Sequence, residues 1–562
     1  MADSAAGSLP YHEPGIVAIL VQASFLLLLN MVNSALDRIV YCGLLGQVLL
    51  GICWGTPGAK WLSASAEEVV VQLGYLGLML LVFQGGLSTS FASLKANLLL
   101  SSGVAITGIT VPIALSFSLQ WLVGATSLQA FAAGAALCST SLGTTFTVLA
   151  SSGLTSSRLG IVLTTAAMID DVVGLVMVQV ISNLGSTISA ITIIRPILVS
   201  LGFAVVAPLA CQFLILPLTV SLNRYRETHS SGKIDRIVCL RHTAFVIHTL
   251  VLIALATGAT YAGTSNLFAA YIAGAVISWW DTEVPHPKNA QTRLVEEKTQ
   301  PDATQKNNLL TEESTDAAGA GDNGPQNRST TFGSTIYQEY YKQAVSKILR
   351  PFFFASIGFS IPISHMFRSS IIWRGIVYTL LMTLGKLVCG LWLVRFSVVP
   401  VQGTLRGRML NVELPEVPHL WGKSAKTGSS HAFKRDQPQT VSTHEEPSTP
   451  KITQTVPRTP STPKPFSLYP PLILALAMVA RGEIGFLISA MAESNGAFSS
   501  GHTNSSSESD IFLVVTWAIV LCTIIGPLGV GLSVKRVKKL EERKSKGQEG
   551  SGRDVLGVWG VR

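Results

Sequence analysis

The chain has 562 residues, 48% of them hydrophobic and 13% charged, with a mean hydropathy of +0.44. Soluble domains carry about 25% charged residues, and here the apolar residues gather in repeated runs of roughly 20, enough to cross a bilayer as a helix. The composition excludes a string of soluble domains. The formal net charge of +9 falls in connections between apolar runs and in polar insertions, which argues against a nucleic-acid partner.

In chain order, residues 1–14 are polar and contain no Lys or Arg. They do not form a removable signal peptide, so the first apolar run is expected to insert as a signal anchor. Apolar runs then predict about thirteen spans, at 15–33, 39–58, 68–87, 97–122, 127–151, 158–182, 190–221, 237–261, 265–281, 344–364, 370–395, 469–492 and 510–533. Nine of these lie in 1–281, two in 341–397 and two in 467–533. The insertions 282–340 and 398–466 are polar, the second carrying repeated Ser/Thr-Pro pairs. Neither has enough apolar surface to fold alone, and both are expected to be disordered cytoplasmic loops. Residues 534–562 read as a basic tail.

Orientation follows from basic residues in the short connections. Arg224, Arg226, Lys233 and Arg236 follow span seven, Arg406 and Arg408 follow span eleven, and Lys535, Arg536, Lys538 and Lys539 follow span thirteen. Connections 183–189 and 493–509 carry none, while Lys60, Arg195 and Arg368 run against the trend. The bias puts the N-terminal side outside or in a lumen and the C-terminal side in the cytoplasm. Asn504 begins a glycosylation sequon on the outer face. The seven cysteines lie in or beside apolar runs at irregular spacing, as expected of buried free thiols.

Span six reads IVLTTAAMIDDVVGLVMVQV, with Asp170 and Asp171 in its middle. One Asp at the centre of a membrane helix costs roughly 2.5–3.5 kcal/mol, and two adjacent ones repel each other. Such groups mark an ion or proton path. Span eleven places Lys386 at similar depth, where a carboxylate partner would offset the cost of burying an ammonium. Span twelve carries Arg481 and Glu483 within LAMVARGEIGFLIS. Residues two apart face different ways on a helix, so each seeks partners elsewhere or the helix is irregular around Gly482. Span five, rich in Ser, Thr and Gly, suits either close packing through small residues or mid-membrane unwinding around a cavity. His248 in span eight reads as a packed core histidine before a pH sensor.

Spans four to six lie seven positions before spans eleven to thirteen. An odd offset inverts one set relative to the other, as required for inverted repeats with interrupted helices around a central site.

The stretch MIDDVVGLV, Lys386 and ARGEIGFLI resemble the monovalent cation/proton antiporters of the second cation/proton antiporter branch, which includes bacterial sodium/proton antiporters and potassium-efflux proteins. The segments LGYLGLMLLVFQGGL (73–87), GTSNLFAAYIAGAVIS (263–278) and PFFFASIGFSIPI (351–363) share that resemblance. It implies an all-α membrane fold with a core domain (spans four to six and eleven to thirteen), a dimerisation domain, two crossing interrupted helices and a homodimer. It also implies exchange of Na+ or K+ for H+ by alternating access, with no cofactor and no enzymatic activity. By the same resemblance Asp171 binds the transported ion or proton and Asp170 pairs with Lys386. Thr140 and Ser141 then line the site with span-five carbonyls, while Arg481 and Glu483 stabilise the crossing. Gln84 departs from the family pattern, which often has an acidic residue in that segment.

From the residues alone, a sodium-coupled organic-anion symporter and a potassium-efflux channel-like protein remain open. An intramembrane aspartyl protease needs its aspartates on separate helices with GxGD at one; the only GxGD here, 319–322, lies in a polar insertion. The topology suits the plasma membrane and endomembranes alike.

Overall fold

A computed structural model describes residues 13–39, 42–141, 153–155, 157–184, 190–228, 240–284, 332–397, 467–498, 509–545, 556, 559 and 560. Every regular element among them is helical. The main helices are α1 (Ile16–Ile39), α2 (Leu44–Trp54), α3 (Ala64–Leu87), α4 (Phe91–Ser116), α5 (Ser127–Cys138) and α6 (Arg158–Ser182). They continue with α7 (Ala190–Ala210), α8 (Leu216–Thr228), α9 (Arg241–Ala262), α10 (Asn266–Glu283) and α11 (Gly333–Tyr340). The last are α12 (Arg350–Phe359), α13 (Ser369–Leu387), α14 (Tyr469–Val479), α15 (Glu483–Ser494) and α16 (Asp510–Ser545). Nine described helical segments are long and apolar enough to cross a membrane. The predicted spans 39–58, 127–151, 265–281 and 344–364 supply the shorter α2, α5, α10 and α12.

The helices pack in two groups. In the first, α3 lies against α10 and α12, α12 against α2, α2 against α1, and α9 against α10. Its closest contacts are made through glycine. A Cβ on Gly86 would strike the Tyr271 carbonyl, and one on Gly274 the Phe83 carbonyl. Lipid offers no hydrophobic drive for helices to associate, so backbone approach through small residues supplies the packing energy. In the second group α6 packs on α4, α4 on α5 and α13, α13 and α14 on α16, and α15 on α5 and α6. The α7 helix touches both α6 and α10 and joins the groups. It continues into α8 through a π turn at Cys211–Ile215, just after Pro208. Its exposed face carries Leu198, Leu201, Val205 and Val206, as a lipid-facing helix requires.

Two predicted boundaries shift. Residues 332–340 belong to the folded part rather than to the polar insertion, because Ile336 and Tyr337 are buried on α11 and Gly333 N donates to Asp281 Oδ2 at 2.6 Å. The tail does not begin at 534: Val530, Val534, Val537 and Leu540 continue the buried stripe of α16 at spacings of three and four. Leu556 and Trp559 join that cluster, with the Arg158 guanidinium 5.0 Å from the Trp559 ring centre. The Ser/Thr-Pro pairs, the sequon at Asn504, Cys239 and the expected disorder across 285–331 and 398–466 lie outside the described residues. The other six cysteines are free thiols.

Candidate ion site where a helix end meets an interrupted helix

The α5 helix begins at a capping box, the Thr126 side chain accepting from Gln129 N and the Gln129 side chain from Thr126 N. Its small residues Ala130, Ala133, Gly134 and Ala136 bury completely, which lets α4 and α15 approach. The helix stops at Cys138, and Ser139 turns to extended backbone (φ −66°, ψ 144°). Hydroxyl side chains compete with helical hydrogen bonding, and three in a row, Ser139, Thr140 and Ser141, favour the break. On the opposite strand of the crossing α14 stops at Val479, Ala480 is extended, and α15 restarts after Gly482. The irregular alternative for span twelve is therefore the one adopted.

The two breaks meet. Ser141 N donates to the Ala480 carbonyl at 2.9 Å, satisfying backbone groups that neither helix can. Gly482 is required by proximity, since a Cβ there would strike the Ser141 side chain. The α16 helix closes the crossing from behind, Thr523 Oγ1 donating to the Arg481 carbonyl at 3.0 Å.

Unpaired carbonyls at the C-terminal end of α5 form a partial negative charge. Two cations answer it. Arg481 Nη1 donates to the carbonyls of Ser139 (2.6 Å) and Cys138 (3.2 Å), and Lys386 Nζ to that of Cys138 (2.6 Å). Lys386 also lies 3.0 Å from Asp170 Oδ2 and 3.0 Å from Thr140 Oγ1, which itself donates to Asp170 Oδ2. Asp170, Lys386 and Arg481 are all 0% exposed. This pairing across α6, α13 and the end of α5 offsets the cost of burying charges that would each be costly alone, while Asp170 Oδ1 and Arg481 Nε and Nη2 have no hydrogen-bond partner among the described residues.

Asp171 stands apart from that pair. It is half-buried, and Ser139 Oγ donates to its Oδ1 at 3.1 Å. Glu483, also half-buried at the start of α15, accepts from Ser141 Oγ at 3.4 Å. Neither has an ion pair among the described residues. Three carboxylates thus face two cations, leaving one net negative charge with all five ionised. A cavity of about 590 Å³ lies between the helix groups. Its walls include Met168, Ile169, Val172 and Val173, which flank the aspartates on α6, and Thr89 and Tyr271, whose hydroxyls are 3.0 Å apart.

The structure thus brings Asp170, Lys386, Thr140 and Arg481 into one buried cluster and sets Asp171, Ser141 and Glu483 at its edge. Sequence reasoning missed Ser139; the alternation of three hydroxyl residues was the available signal, since successive side chains of an extended segment point to opposite sides. Gln84 is exposed on α3. His248 is buried on α9, in the other helix group, with no hydrogen bond to Nε2 among the described residues. The second half of span five, from 142, lies outside the described residues.

Fold and site together define a polytopic helical membrane protein in which the end of α5 meets the break between α14 and α15 beside a buried ionisable cluster. Residues 24–298 match the model of the sodium/hydrogen exchanger transmembrane family. The match contains Thr140, Ser141, Asp170 and Asp171 but not Lys386, Arg481 or Glu483. Among curated relatives, a high-affinity Na+/H+ antiporter, NhaS3, of Synechocystis is 33% identical over 186 residues, 32% of this chain and 40% of its own length. The Na+/H+-K+ antiporter GerN of Bacillus cereus is 28% identical over 155 residues, 28% of this chain and 40% of its own. The chain spans about 40% of the length of the curated relatives it matches. The solved sodium/proton antiporter MjNhaP1 of Methanocaldococcus jannaschii aligns over 97% of this chain and 99% of its own, at 13% identity and a TM-score of 0.48.

Proposed function

We propose that the chain exchanges a monovalent alkali cation, sodium or potassium, for protons by alternating access, with both competing for Asp171. The observation that carries this reading is the charge balance of the cluster. Lys386 and Arg481 are engaged, so one negative charge is left over, and one alkali ion or one proton neutralises it. Carboxylate, hydroxyl and carbonyl oxygens are hard ligands suited to a dehydrated cation. A site that holds either ion and crosses only when loaded makes competition into exchange. The relatives' names support the reading, and GerN's leaves both sodium and potassium in play. In this proposal Asp170 is released from Lys386 as the ion enters, and the cavity between the helix groups is the cytoplasmic approach. The N-terminal side then faces the exterior or a lumen, and the first helix group forms the contact of a homodimer.

Purified protein in liposomes loaded with a pH-sensitive dye tests this by stepwise addition of sodium, potassium or lithium. Proton movement on adding cation alone, without organic solute, is expected; its absence would favour a symporter, and conductive flux without proton exchange a channel. Asp171→Asn is expected to abolish exchange while the protein remains folded. Apparent cation affinity should fall as pH falls, because protons then occupy more of the sites.

A further inference from the structure

The sequence resemblance gives Glu483 a structural part at the helix crossing, alongside Arg481. The contacts separate the two. Arg481 Nη1 donates to the carbonyls of Cys138 and Ser139 at the end of α5, and the side chain forms no ion pair with Glu483 among the described residues. Glu483 instead turns to the hydroxyl of Ser141. Along the extended segment after α5, the Thr140 hydroxyl serves the Asp170–Lys386 pair, while those of Ser139 and Ser141 serve Asp171 and Glu483. Alternation puts Ser139 and Ser141 on one side of that segment, about 7 Å apart along the chain. The two carboxylates without a cation therefore stand at the same side of the break, held by neighbouring hydroxyls.

We propose that Glu483 is a second carboxylate of the ion site, presented to the transported cation together with Asp171; this rests on the exchange reading above. No three His, Cys, Asp or Glu side chains converge as a metal site among the described residues. A shared ion is accordingly held by these two carboxylates, with hydroxyl and carbonyl oxygens completing its shell, which suits a monovalent rather than a divalent ion. Glu483 also adds to the negative charge of the site: with Glu483 neutral, Asp170 and Asp171 balance Lys386 and Arg481, and the attraction of the empty site for a cation weakens.

The test measures sodium- and potassium-driven proton flux of Glu483→Gln in liposomes, beside cation-dependent thermal stabilisation of the purified protein. The expected result is a rise of about tenfold in KM for the cation with the maximal rate largely retained, a shifted pH profile and a weaker thermal shift. Glu483→Asp, which keeps the charge, should recover most of the affinity; if the Gln variant does not fold, the KM and thermal shift of the Asp variant decide. An unchanged KM, or a fall in rate matched by a fall in folded protein, would overturn the proposal and leave Glu483 a helix-end residue. Exchange persisting in Asp171→Asn would instead overturn the underlying reading, whatever Glu483 does.

Discussion

The two helix groups are held by opposite chemistries. In the first, α3, α10, α2 and α12 come together by removing side chains: glycines let backbones touch, and the buried residues around them are mostly apolar. In the second, the centre is made of charges and helix-end backbone that bond to one another. The first arrangement carries no buried ion pair among the described residues and suits a rigid support. The second has one carboxylate more than cations, and the proposed exchange uses that surplus to bind and release an ion.

Substitutions can break this contrast, beginning with the largest effect. Lys386→Ala leaves Asp170 buried without a counter-charge, which is expected to cost about 3–5 kcal/mol and to lower the unfolding temperature of the protein in detergent. Removing Asp170 as well should recover part of that loss; a double variant no more stable than the single one would contradict the pairing. Gly274→Leu on α10 overpacks the first group and should cost about 1–3 kcal/mol or more. Its signature differs, because the folded fraction falls while the cation KM of the remaining protein stays unchanged. Tyr271→Phe removes the hydroxyl contact to Thr89 at the cavity wall and should cost only about 0.5–1.5 kcal/mol, read as a small shift in thermal unfolding.

How much of the site was legible follows from the range of the forces involved. Asp170, Asp171 and Lys386 stood out because a charge within an apolar run is a local anomaly, visible without knowing any neighbour. Ser139 did not stand out, since its importance comes from Asp171 on another helix. The break at Gly482 was one of two alternatives in the sequence; the approach of Ser141 from α5 makes glycine necessary there. The end of the 282–340 insertion and the start of the tail were misplaced for a similar reason. Ile336, Tyr337, Leu556 and Trp559 are too few and too scattered to signal burial until the surfaces they cover exist.

The sequence alone determined that this is a helical membrane protein with ionisable groups at depth, because bilayer thickness and the cost of inserting charge act on single segments. Tertiary structure decided which carboxylate is neutralised and which is left over. Asp170 and Asp171 are adjacent in the chain, yet their side chains leave α6 in different directions, one toward Lys386 and Thr140 and the other toward Ser139. That division depends on where α13 and the broken end of α5 come to rest, and no local pattern specifies it.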